Sequence, residues 1–297
     1  MSELHWSHGR RTWFEVHGGD LAGIPLVICH GGPGMAHDYL DVLAQLADER
    51  PVLLYDQFGC GRSDHAPDAD PASWTVDLFL EELVVLVEHL GWSEQHHLLG
   101  QSWGGMLGLE YALTAPAGLR SLVLSNSPAS IRLWLAEANR LRADLPVDVQ
   151  ATLDRHERAG STDSPEYAAA VDVFMRRHVC RMEPYPDGFT RSMAQFTQDP
   201  TVYLTMNGPS EFHIIGSLKD WDVTDRLGEI AVPTLLISGE FDEATAAVVQ
   251  PIHDGIVGSE WSVIPGASHL PFQENPVPYF EVVRSFLGRH DLEPPRA

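Results

Sequence analysis

Four short runs constrain this chain more than any other feature: 24–30 (IPLVICH), 51–57 (PVLLYDQ), 96–100 (HHLLG) and 119–126 (LRSLVLSN). A strand with one wet face alternates apolar and polar residues, whereas these runs are nearly continuous and must be covered on both faces. Between them, 74–90 puts Val76, Phe79, Leu80, Leu83, Val87 and Leu90 on one helical stripe, and 106–113 continues helically after Gly104-Gly105. Strands buried on both sides and separated by helices predict βαβ units, hence a mostly parallel sheet between helical layers. The alternation stops over 128–227, where helices are expected at 131–143 and after Ser164, which caps a helix opening on Pro165. It resumes with 234–239 (TLLISG), 260–265 (EWSVIP) and a last helix over 278–289. The expected architecture is therefore α/β, with a core formed by 1–127 and 228–297 and a helical cap, 128–227, over the strands' carboxyl ends. The tail 293–297 (EPPRA) is expected to fray.

Composition narrows the function classes. The chain has 297 residues, enough for a sizeable core without disulfide staples. Its three cysteines, Cys29, Cys60 and Cys180, form no CxxC pattern, so a reducing compartment is expected and a structural zinc site is not. Lys+Arg 19 against Asp+Glu 42 gives a net charge of −23, which repels phosphate backbones and anionic lipid. Nucleic acid and membrane are not expected as partners. The first residues lack the apolar segment of a secretory signal. The richest apolar stretch, 78–90, is broken by Glu81, Glu82, Glu88 and His89, short of the ~18 apolar residues of a span. A cytoplasmic protein is expected.

The chemistry is concentrated in a few motifs. Gly100-Gln101-Ser102-Trp103-Gly104 is a G-x-S-x-G placed directly after a predicted strand and before a predicted helix. A turn that sharp needs residues without bulk two places either side of the serine, and it lifts the hydroxyl above the sheet edge. The helix N-terminus beneath supplies N–H groups and partial positive charge for an oxyanion. His269, in the short loop Pro265-Gly266-Ala267-Ser268-His269 after the last strand, is the candidate base. Asp242, ending Ser238-Gly239-Glu240-Phe241-Asp242 after TLLISG, is the candidate acid, and the order serine, acid, histidine fits strand-to-helix serine nucleophiles. The other position where such folds place the acid reads Ser125-Asn126-Ser127 and offers no carboxylate. His30-Gly31-Gly32-Pro33-Gly34 ends the first buried strand, and its glycines let backbone approach a substrate carbonyl. The N–H groups of Gly32 and Trp103 are the expected oxyanion hole, with Gly31 the poorer donor. His96-His97 reads as packing and solvent rather than metal, and His178 with Cys180 lacks further ligands.

At these residues the sequence resembles the proline iminopeptidase family of α/β-hydrolases, which includes the tricorn-interacting aminopeptidase and bacterial L-amino acid amidases. The resemblance runs through HGGPG at 30–34, Asp56-Gln57-Phe58-Gly59-Cys60-Gly61-Arg62-Ser63, the serine turn, and Asn207-Gly208-Pro209-Ser210-Glu211-Phe212. It continues through Trp221-Asp222-Val223-Thr224 to Gly239-Glu240-Phe241-Asp242-Glu243. HGGPG with DQxGCGRS is specific to that family, whereas G-x-S-x-G marks only the superfamily. The resemblance implies Ser102, Asp242 and His269 as triad and Glu211 and Glu243 as carboxylates holding a substrate's free amino group. A lone ammonium entering an apolar pocket needs such a fixed negative partner. The chain departs from many prolyl members at Phe58, where they carry arginine, and at Gln101, where glycine or serine is commoner.

The expected activity is a serine hydrolase, requiring no cofactor, that releases an unblocked N-terminal residue, proline or another small apolar one, from a short peptide or amide. The alternatives are an amidase or esterase of free amino acid derivatives, and a ligand-binding protein of this fold with little turnover. A serine at the turn, rather than aspartate, argues against dehalogenase and epoxide hydrolase chemistry.

Overall fold

A computed structural model describes residues Ser2–Asp291, so the tail 293–297 lies outside the described residues. Among these residues one eight-stranded sheet forms the centre, in the order β1-β2-β4-β3-β5-β6-β7-β8. The strands are β1 (Ser2–Trp6), β2 (Arg10–His17), β3 (Leu26–Cys29), β4 (Val52–Asp56), β5 (His96–Gln101), β6 (Leu119–Ser125), β7 (Thr234–Gly239) and β8 (Glu260–Ile264). From β4 to β8 all pairings are parallel, while β1–β2 and β2–β4 are antiparallel.

The continuous apolar runs do what the pattern predicts. Along β3 and β4, Val27, Cys29, Leu53 and Tyr55 enter one hydrophobic cluster, and Leu26, Ile28, Val52 and Leu54 enter the other. The first cluster is built with helices α1 (Val76–His89) and α2 (Trp103–Leu113). Thr75 caps α1 by accepting the Leu78 N–H at 3.2 Å.

Between β6 and β7 the chain forms α3 (Ile131–Arg142), α4 (Val147–Ala159), α5 (Pro165–His178), α6 (Asp187–Gln198) and α7 (Thr201–Met206). Ser164 caps α5 as expected, accepting the Tyr167 N–H at 3.1 Å, with Pro165 in the first turn. Helix α6 is tied to the 3₁₀ segment His37–Asp48: the Ser192 hydroxyl accepts the Tyr39 N–H at 3.0 Å and donates to the Ala36 carbonyl at 2.9 Å. After β7 come α8 (Ala246–Gly255), then α9 (Pro271–Glu274) and α10 (Pro276–Asp291) beyond β8, and α10 packs into the second cluster.

Three features differ from the sequence reading. The antiparallel pair β1–β2 was not foreseen; only Leu4 and Trp6 of β1 point inward, too short an alternation to stand out. The buried face of α1 includes the carboxylate of Glu82, wholly buried. His96 and His97 are also fully buried rather than partly solvated. His96 bonds Trp92 and Tyr111, and His97 bonds Ser121 and Asp291.

Candidate active site

β5 ends at Gln101 and α2 begins at Trp103, leaving Ser102 alone to make the turn at φ 54°, ψ −121°. That backbone is unfavourable for an L-residue and persists only where its surroundings enforce it. Here the enforcement is steric. A Cβ on Gly100 would lie 2.1 Å from the Gly104 carbonyl oxygen, and one on Gly104 would lie 2.1 Å from that of Cys29. Both flanking glycines of the motif are therefore demanded by the packing of β5, α2 and β3.

The structure brings His269 and Asp242 together. His269 Nδ1 lies 2.7 Å from Asp242 Oδ1, and both residues are buried. The Asp242 carboxylate also accepts the Ala244 N–H at 2.9 Å on Oδ1 and the Gly239 N–H at 3.2 Å on Oδ2. The Asn126 side-chain amide donates to Oδ2 as well. Asn126 thus joins the site although its position carries no carboxylate, the one chemistry the sequence order asks for there. Its signal was local: asparagine tolerates the left-handed backbone (φ 58°) adopted at the end of β6. Trp134 of α3 stands edge-on to the His269 ring at 5.8 Å.

Ser102 and His269 line the same cavity, but among the described residues no hydrogen bond joins Ser102 Oγ to His269 Nε2. Such contacts often tighten only in the complex with substrate. His269 Nε2 lies 3.7 Å from Glu243 Oε1.

In the HGGPG loop the Gly31 N–H is taken by the Tyr39 hydroxyl at 2.6 Å. Gly32 and Trp103 line, with Ser102, a small cavity of about 20 Å³. As the first residue of α2, Trp103 has no intrahelical acceptor for its N–H. His30 Nε2 accepts the Gln57 N–H at 2.9 Å, and burial pushes the imidazole pKa down to about 4. It is thus a neutral element of the scaffold. Gln57 also bonds the His30 carbonyl and, at 2.8 Å, the indole N–H of Trp103.

A larger cavity, about 310 Å³, is also lined by Ser102 and lies between the core and α5–α7. Its wall is mainly apolar, with Val171, Phe174, Met175, Phe189 and Met193 among its residues. Two carboxylates interrupt that wall. Glu211 Oε1 accepts the Tyr203 hydroxyl at 2.6 Å, while buried Glu243 Oε2 has no hydrogen-bond partner among the described residues. Burial pushes both pKa values up, and the like charges of Glu211 and Asp242 push Glu243 further. Two carboxylates with an unsatisfied oxygen are a place for a cation. His178 and Cys180 meet no further metal ligands, and among the described residues no three His, Cys, Asp or Glu are arranged to hold a metal.

Fold and site together define a class. The alpha/beta hydrolase fold family matches residues 24–276, and the chain belongs to it. Within that class, the proline iminopeptidase of Heyndrickxia coagulans is 39% identical over 280 residues, covering 94% of this chain and 96% of the relative. That of Saccharolobus solfataricus is 41% identical over 265 residues, covering 89% and 84%. Among solved structures, a Mycobacterium smegmatis proline iminopeptidase superposes with TM-score 0.88 at 48% identity, covering 98% and 99% of the two chains. VinJ superposes with TM-score 0.95 at 46% identity, covering 97% and 98%. The chain is a member of the proline iminopeptidase family.

Proposed function

We propose that the protein is a serine aminopeptidase that releases an unblocked N-terminal residue from short peptides or amides through an acyl-enzyme. The observation that carries this reading is the pair Glu211 and Glu243 on the wall of the cavity that also holds Ser102 and His269. A substrate ammonium placed between them would satisfy the orphaned Glu243 oxygen and leave the adjacent carbonyl beside the serine.

In this reading Ser102 Oγ attacks the carbonyl and His269 Nε2 takes its proton. Asp242 holds the Nδ1–H tautomer and stabilises the imidazolium. The N–H groups of Gly32 and Trp103 receive the oxyanion. His269 then protonates the leaving amine, and water attacks the acyl-enzyme by the same route. The small cavity, walled by Met106, Ile131, Trp134 and Leu218 beside Ser102, favours a small or cyclic apolar side chain. Residues 128–227 act as the cap, and the roof made by α5–α7 favours short substrates. An amidase or esterase of free amino acid derivatives would use this same site with a smaller leaving group. A cytoplasmic location is supported by the three cysteines, all buried and unpaired.

The test is a panel of aminoacyl arylamides and amides with free or acetylated amino groups, run beside a fluorophosphonate probe. Turnover confined to free amines, with probe labelling lost in Ser102→Ala, supports the reading. Equal turnover of blocked substrates would refute it. An unlabelled protein stabilised by ligand would point to a binding protein of this fold.

A further inference from the structure

Gln101, the residue before the nucleophile, joins three loops through one side chain. Its Oε1 accepts the Tyr39 hydroxyl at 2.6 Å, and that hydroxyl in turn accepts the Gly31 N–H at 2.6 Å. Its Nε2 donates to the backbone carbonyl of His269 at 3.2 Å. Both side chains are 2% exposed, so water offers no substitute partners. The amide orientation is dictated by chemistry: reversed, Gln101 would set its oxygen against the His269 carbonyl oxygen. Burial holds the Tyr39 hydroxyl above its usual pKa range, so it stays protonated and able to donate. Tyr39 is itself fixed at both backbone ends, its N–H by Ser192 and its carbonyl by Gln273 at 3.0 Å. Gly31 cannot be anything larger, since a Cβ there would sit 2.7 Å from Gln101 Oε1.

We propose that Gln101 is a positioning residue for acyl transfer. Through Tyr39 it fixes Gly31, and so the aim of the Gly32 N–H; through its amide nitrogen it fixes the backbone that carries His269. It acts on the transition state, because the two groups it braces, the oxyanion donor and the general base, do their work there. This assignment rests on the serine-hydrolase reading above but not on its preference for a free amino group.

The test uses Gln101→Met, which keeps the volume and deletes both bonds, and Tyr39→Phe, which deletes the hydroxyl alone. Each is assayed on an aminoacyl arylamide and on p-nitrophenyl acetate with kcat and KM resolved. Binding of an aminoacyl boronic acid, which forms a tetrahedral adduct on the serine, is measured beside binding of the free amino acid product. Misplacing such groups is expected to lower kcat on the order of 10- to 100-fold on both substrates, with KM and product affinity within about 2-fold. Boronate affinity should fall in step with kcat, and the double variant should be no worse than the more damaging single one. A rise in KM at unchanged kcat would overturn the proposal, as would wild-type boronate affinity or a loss confined to the arylamide. Should thermal melting show Gln101→Met misfolded, Tyr39→Phe decides by the same criteria. Wild-type protein that cleaves the ester but not the arylamide would defeat the aminopeptidase reading alone and leave the ester measurements to decide this one.

Discussion

Asn126 shows how much of a site can hang on one amide. Asp242 is buried with four hydrogen bonds, and the one from Asn126 comes from a different strand end. A hydrogen bond to a charged group contributes roughly 1.5–3 kcal/mol, so Asn126→Ala should lower kcat/KM on the order of 10- to 150-fold. The loss should be equal for an arylamide and a neutral ester, since both need His269 oriented; steady-state kinetics on the two substrates checks it. The glutamates behave differently. Glu211→Gln or Glu243→Gln should cost a similar factor with free-amine substrates and little with a neutral ester; equal losses would mean they support the fold or the triad. Their raised pKa values set the acid side of binding: as pH rises the carboxylates ionise and hold an ammonium better. On the alkaline side the substrate amine loses its proton near pH ~7.7–8.0 and binding weakens. A bell in kcat/KM is expected for the free amine, and a neutral ester should lack the alkaline limb.

At the scale of elements, the loop after β4 is one joint between core and insertion, beside that of α6 with the segment His37–Asp48. Gly59 has φ +92°, and a Cβ there would lie 2.4 Å from Val202 of α7 and 2.8 Å from the Trp74 ring. Gly59→Ala therefore forces α7 outward and strains the backbone, with an expected cost of about 1–3 kcal/mol. For a chain of this length that corresponds to a fall in Tm of roughly 2–5 °C, measurable by thermal denaturation. Because α7 carries Tyr203 against Glu211, KM for free-amine substrates should rise in the same variant. An unchanged Tm would mean that the joint yields more readily than its packing implies. Elements with strong local signals were legible: β3 to β7 by their apolar runs, β8 by the resumed alternation, α5 by Ser164 and Pro165. The β1–β2 pair was not, because its pattern mixes polar, aromatic and basic residues and gains meaning only against β4.

For the whole molecule, Glu82 is the group whose protonation folding changes most legibly. It sits on α1, accepts the Thr12 hydroxyl from β2 and the Phe58 N–H from the loop after β4, and is fully buried. Burial pushes its pKa up from 4.5 to about 8. The folded protein therefore keeps a proton that the unfolded chain releases, and this group's contribution to stability falls as pH rises between those values. The slope is at most about 1.4 kcal/mol per pH unit. In denaturation measured across that window, Glu82→Gln should gain on the wild type as pH rises. Parallel curves would show that Glu82 is ionised throughout.

The sequence by itself determined the sheet's parallel core and the helical segment inserted in it, and it singled out Ser102, Asp242 and His269 as the candidate triad. Each of these rests on short-range physics: burial period, the steric demands of a strand–turn–helix, and the order of residues at strand ends. Only the tertiary structure decided what surrounds them. The Asn126 amide meets Asp242 across 116 residues of chain, and Gln101 meets Tyr39 across 62 and His269 across 168. Glu211 and Glu243 likewise become a pair only when a residue of the insertion folds over one of the core to face the same cavity. The glutamates sit in motifs that the family resemblance could read, whereas the contacts of Asn126 and Gln101 leave no periodicity and no motif, because their partners are set by how layers pack and not by what neighbours them in the chain.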